Sequence, residues 1–289
     1  MDYVRIALSI ISIFGAGFLV TWNAKDSQNV KTRGLAATEI DAMREKPSDV
    51  DVQERACRSL TRIASEDKAA QTAVGAAGGV EVVIAAMRSH LKSVAMQEAG
   101  CFFLANIAAG NAANQGVISA TGGIECAIAA LRAHGQAAAV QENACVALGN
   151  LASGHRANQA AIATAGGVAC VVATMRAHGK LGDAGKPVVE NGCLALGQLA
   201  AENVDNQAAL VAAGALDATV AALRRDPSER ALCQWACYLF SWLVDHHVRV
   251  VATSGAPKLV NEALARFSDD KVIKKYGEIV LTVISEMTV

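Results

Sequence analysis

Residues 96–110, MQEAGCFFLANIAAG, return 44 positions later as VQENACVALGNLASG at 140–154, with Gln, Glu, Cys, Leu and Asn in matching places. A fixed period of this length marks a chain built from stacked supersecondary units. One such unit is too small to bury its own apolar face and gains a core only from its neighbours. The period runs through most of the chain. Met43-Arg44, Met87-Arg88, Leu131-Arg132 and Met175-Arg176 recur every 44 residues, and Leu223-Arg224 follows after 48. The additional residues lie in KLGDAGKP (180–187), whose Gly and Pro predict a lengthened loop.

Each unit divides into three helices, seen most plainly in the third. NQGVISATG (114–122) is a short helix closed by glycine, which enters the left-handed cap without strain. GGIECAIAALRAHG (122–135) is a second, with Ile124, Ile128 and Leu131 on one face. VQENACVALGNLASG is the third. Ala144, Leu148 and Leu151 form its apolar stripe, Gln141 and Glu142 are expected to face outward, and Ala147 and Gly149 let neighbouring helices approach closely. Composition agrees: with 53% hydrophobic residues, 4% aromatics and four prolines, the chain favours helices around an aliphatic core.

Seven of the eight cysteines keep the same beat. Cys57, Cys101, Cys145, Cys193 and Cys237 fall in register, and Cys126 and Cys170 are 44 residues apart. None forms a C-x-x-C pair, so neither zinc nor a disulfide framework is expected. They read as small buried hydrophobes in a reducing, intracellular compartment. His90, His134 and His178 also recur every 44 residues, each two places after an arginine. Equivalent positions on stacked helices lie roughly 10 Å apart, too far to share a metal. These histidines are expected to close the second helices, where cationic side chains suit the dipole. No Ser/His/Asp order, P-loop or H-E-x-x-H motif is present, so no catalytic residues, cofactor or enzymatic activity are expected. A net charge of −1 without a basic run argues against nucleic acid as a partner.

Two motifs, Asn158…Gly166-Gly167-Val168 and VQENACVALGNLA, resemble the armadillo repeat family. Five units match over roughly 23–253, and a sixth continues as IKKYGEIVLTVIS (273–285). The resemblance implies an all-α, right-handed α-solenoid of about six three-helix repeats. Its third helices would line a concave groove for an extended peptide or partner protein, the work of a non-enzymatic scaffold or adaptor. The family's groove asparagine corresponds to Asn106 and Asn150, with Arg62, Gln198, Trp242 and Val283 in the other units. Such amides either contact a peptide backbone or cap a neighbouring turn internally.

One turn earlier stand Arg58, Phe102, Val146, Leu194 and Tyr238. Nuclear-import adaptors carry tryptophan there, and only Phe102 and Tyr238 are aromatic, so that adaptor reading fails. Glu54, Glu98, Glu142 and Glu190 form a further row, followed by Gln234. The row is either a solvated first helical turn or an acidic stripe that selects basic partners. Trp235, Tyr238 and Trp242 share one helical face as either a core plug or an interface hot spot. The expected partner-binding set is therefore Arg62, Phe102, Asn106, Asn150, Gln198, Tyr238, Trp242, Glu98, Glu142 and Glu190.

The sequence IALSIISIFGAGFLVTW (6–22) runs 17 residues without a charge, the short limit for a membrane span, with Arg5 before it and Lys25, Lys31 and Arg33 after it. Shifted by 132 residues, it also aligns with 140–154, setting Gly17 on Gly149 and Leu19 on Leu151. A membrane helix, an apolar cap buried in a partner, and a signal peptide all stay open. The chain accordingly divides into 1–22 and a solenoid over 23–289. Two functions fit: a protein-binding scaffold tethered by its N-terminus, and a structural subunit of a membrane-bound assembly.

Overall fold

A computed structural model describes residues 31–287 of the chain, all-helical with no strand among the described residues. Helix α1 (31–45) and α2 (Val50–Ala64) come first. Three-helix units follow: α3 (Lys68–Ala76), α4 (Gly79–Ser89) and α5 (Val94–Ala108), then α6 (Ala112–Thr121), α7 (Gly123–Ala133) and α8 (Ala138–Ala152). The next comprises α9 (Arg156–Thr164), α10 (Gly167–His178) and α11 (Lys186–Ala200). Then come α12 (Val204–Ala212), α13 (Ala215–Arg225) and α14 (Arg230–Thr253), and finally α15 (Ala256–Arg266) and α16 (Lys271–Met287). The stretch predicted as a lengthened loop forms a 3₁₀ turn at Gly182–Gly185, and Lys186-Pro187 opens α11, where proline's missing N–H costs nothing.

First and second helices meet at bends of 66–71°. Gly122 makes one of these bends at φ +84°, and a Cβ on the adjoining Gly123 would lie 2.4 Å from Ile118 Cγ2. The double glycine thus serves both the turn and the close approach. The third helices α2, α5, α8, α11 and α14 pack side by side and carry the core. Gly149 brings α8 so near α11 that a Cβ there would stand 3.2 Å from Ala195 Cα. Cys57, Cys101, Cys126, Cys145, Cys193 and Cys237 are buried free thiols among Ala, Val, Ile and Leu, as the repeat register predicts, whereas Cys170 is half-buried; Cys233, outside the register, is buried as well.

Polar ladders with the same period join the units. Gln53, Gln97 and Gln141 are buried at 2%, 1% and 1% exposure, which corrects the outward placement expected for Gln141. Gln97 Nε2 donates to Met87 O at 2.8 Å and His90 O at 3.2 Å; Gln141 Nε2 donates to Leu131 O at 2.9 Å and His134 O at 3.1 Å. Each amide satisfies carbonyls left free at the end of a second helix. His90, His134 and His178 stand at those ends, as expected, and also reach back one unit. Their Nε2 atoms lie 2.9, 2.7 and 3.0 Å from Pro47 O, Leu91 O and Gly135 O. A carbonyl can only accept, so Nε2 carries the proton. Arg88, Arg132 and Arg176 reach forward to Thr121 O, Ala165 O and Gly214 O, cations placed on the C-terminal carbonyls of the next unit's first helix.

No single helix among the described residues is long and apolar enough to cross a membrane. The apolar segment 6–22, and with it the tether expected from the sequence, lies outside the described residues.

Candidate functional site

Stacked third helices leave one row of side chains facing away from the other two layers. Phe102 is 45% exposed on this row, Arg62 is exposed, and Asn106, Val146, Asn150, Leu194, Gln198, Tyr238 and Trp242 are half-buried. The amides expected as one ladder behave differently from unit to unit. Asn106 Nδ2 donates to Phe102 O within α5, and Asn150 Nδ2 donates across to Ala105 O, both at 2.8 Å. Gln198 makes no side-chain hydrogen bond among the described residues, so its donors and acceptor face the groove free.

The carboxylates also divide. Glu98, Glu142 and Glu190 lie beyond the first turns of α5, α8 and α11, where the dipole has little hold, so the solvated first-turn reading is corrected. Arg58 occupies the first members, contacting Glu54 at 3.0 Å and Glu98 at 3.3 Å. Glu142 receives a long 3.5 Å contact from Asn191 Nδ2. Glu190 forms no ion pair among the described residues; burial first, and then the neighbouring Glu229 charge, push its carboxyl above the usual carboxylate range. Lys186 is drawn instead to Asp183 at 2.8 Å and Glu229 at 2.7 Å.

A pocket of about 380 Å³ opens between α8, α11 and α14, walled by Arg156, Gln159, Gln198, Glu202, Tyr238 and Trp242. The larger concavity, about 720 Å³, is lined by α16 alone and has no opposing wall. The predicted aromatic face forms one edge-to-face chain: Trp235–Tyr238 at 6.4 Å, Tyr238–Trp242 at 6.1 Å and Tyr238–Tyr276 at 4.9 Å between centroids. It is half-buried, packed on the core on one side and open to the pocket on the other.

Another polar ladder changes partner at α12. Gln71, Gln115 and Gln159 each donate to the end of the next third helix, at Asn106 O (2.7 Å), Asn150 O (2.7 Å) and Gln198 O (2.9 Å). Gln207 turns back to its own unit, to Ala200 O at 3.0 Å. The boundary beyond it is a kink in α14 at His247 (φ −129°), in the register place of the helix-opening residues Asp67, Asn111, His155 and Asn203. Gln207 Oε1, Trp242 Nε1 and His247 Nε2 are left buried without partners. The Trp242 indole lies close enough to Tyr238 to oppose the rise that burial imposes on the phenol's pKa, but falls short of hydrogen-bond geometry.

Sequence reasoning passed over two residues of this pocket. Arg156 begins α9, and its guanidinium has no partner among the described residues. Glu202 sits at φ +54°, the single non-glycine residue with positive φ among those described. In register its place belongs to Gly110 (φ +59°) and Gly154 (φ +65°). A side chain in that region costs roughly 1 kcal/mol that glycine avoids. The substitution of Glu for the repeated glycine was the signal available in the sequence.

Stacked three-helix units with a groove along their third helices define an α-solenoid. The chain belongs to the family described as LRRK2 ARM repeat, whose profile matches residues 27–252, and is thus a right-handed armadillo solenoid. No match was found among curated proteins. Among solved structures, an engineered protein shares 25% identity, with a TM-score of 0.75 over 87% of this chain and 96% of its own. A designed armadillo repeat protein in complex with the peptide (KR)4 shares 19%, with a TM-score of 0.71 over 86% of this chain and 98% of its own. A structure from work on a phosphorylation switch controlling the interaction between cadherin and beta-catenin shares 17%, with a TM-score of 0.76 over 90% of this chain and 54% of that one.

Proposed function

We propose that the protein is a non-enzymatic scaffold that holds an extended partner segment along its third-helix groove. The observation that carries this reading is the row from Phe102 through Asn150 and Gln198 to Trp242, each side chain partly open along the third helices even where, as at Trp242, it also packs on the core. Amides at unit spacing offer a donor and an acceptor about every 10 Å, close to three residues of extended chain. The designed armadillo repeat protein in complex with the peptide (KR)4 supports peptide binding by a fold of this kind. Glu142 and Glu190 favour basic segments, since neither carboxylate has a cation in contact.

Peptides selected from a random library on the full chain should compete for one site. They should bind about tenfold more weakly to Asn106→Ala/Asn150→Ala, which removes two amides worth about 1 kcal/mol or less each. Titration and thermal melts check both expectations; undiminished affinity rejects the groove assignment. We assign the apolar segment 6–22 to tethering or docking. Deleting residues 1–22 should move the protein from the membrane pellet to the supernatant on fractionation, and an unchanged distribution excludes tethering.

A further inference from the structure

Helix α16 closes the described solenoid with an open face, where a concavity of about 720 Å³ is lined by this one helix. We propose that this face is an interface between two copies of the chain, in which the α16 helices pair antiparallel about a twofold axis at Ile279. The inference does not depend on the groove reading.

Three observations converge here. Glu278 stands five residues before Val283, as Cys57, Cys101, Cys145, Cys193 and Cys237 stand five before Arg62, Asn106, Asn150, Gln198 and Trp242. Those thiols are buried, whereas Glu278 is exposed. A further repeat, or a copy stacked head to tail, would have to bury this charge. Second, Val272, Ile279 and Met287 are 37%, 38% and 43% exposed, and half-buried Tyr276 and Val283 lie between them at helical spacing. The apolar stripe therefore runs the length of the helix. Third, the charges of α16 are polarised: Lys271, Lys274 and Lys275 come first, Glu278 and Glu286 later, and none forms an ion pair among the described residues. Such a helix complements itself only when reversed. With Ile279 on the axis, Lys271 and Lys275 of each copy come within a helical turn of Glu286 of the other, while Val272 and Val283 flank the centre. A parallel pair would set like charges together. The twofold contact uses the same face on both copies and closes at two. A strip about 25 Å long falls short of a standard interface, so the dimer is a weak one.

The test is sedimentation equilibrium of the full chain under reducing conditions, in a non-ionic detergent that occupies the apolar segment 6–22. It should show a monomer–dimer equilibrium with a Kd of about 10–100 μM that weakens as salt is added. Ile279→Asp should stay monomeric at about 100 μM and melt at the same temperature, because the side chain is exposed in the monomer. Lys271→Glu/Lys275→Glu and Glu286→Lys should each weaken self-association at least about tenfold. An equimolar mixture of these two variants should regain the original affinity, since each then meets opposite charges on the other. Recovery on mixing two weakened proteins is a result that a folding defect does not give. A monomer at every concentration overturns the proposal, as does association indifferent to Ile279→Asp or a mixture that stays dissociated. Growth beyond two copies overturns the closed twofold contact. Association lost on deleting residues 1–22 assigns it to the apolar segment and overturns the role of α16.

Discussion

Raising the pH from about 7 to about 10 should remove about 5 kcal/mol of stability, close to all that a domain of this kind possesses. The cause is the row of thiols along the third helices. Burial holds the Cys57 and Cys101 pKa far above the ordinary 9.0 and pushes Cys145 and Cys193 up to about 12. A thiol kept neutral in the fold contributes its full stability below the unfolded pKa. It loses that contribution as the pH climbs toward the folded value, because the unfolded chain ionises first. Each thiol costs about 1.4 kcal/mol by one unit above 9, so these four account for the fall, and Cys237, the fifth in the register and also pushed up to about 12 by burial, adds to it. Urea unfolding under reducing conditions at both pH values should show the fall, and Cys145→Ala/Cys193→Ala should halve it. An equal fall in the variant would clear the thiols of responsibility.

Phe103→Ala should cost about 3–5 kcal/mol, whereas Phe102→Ala should cost less than about 1. The two residues are neighbours of the same type on α5, yet Phe103 is fully buried with its ring near Gly79, and Phe102 is 45% exposed. In a core of small aliphatic side chains, few neighbours are large enough to move into the vacated volume. Denaturant midpoints at constant slope give both values. Similar costs at the two positions would mean that α5 is rotated from its described orientation.

The same pair shows what a repeat reading can resolve. Period and register located the helices, the glycine bends, the buried thiols and the histidines at the second-helix ends, because each depends on a pattern repeated in every unit. Gln141 was misplaced outward because polarity suggested solvent. The carbonyl ends of α7, which claim its amide, belong to a different helix and become visible only when the two pack. Glu98, Glu142 and Glu190 were legible as a row, but which of them is free depended on where Arg58, Asn191 and Lys186 reach.

The candidate pocket arises where the pattern fails. Glu202 in place of the glycine of the two preceding units was readable as an exception, but its consequence was not. Gln207 turns to Ala200 O, and Gln207 Oε1, Trp242 Nε1 and His247 Nε2 lie buried without partners among the described residues. The amino-acid sequence by itself determined the solenoid, since a periodic apolar pattern has one economical way to bury itself: against its own copies. Tertiary structure alone decided which amides and charges stay available, because a hydrogen-bonding group is spent or spare according to the neighbour that stacking brings within about 3 Å.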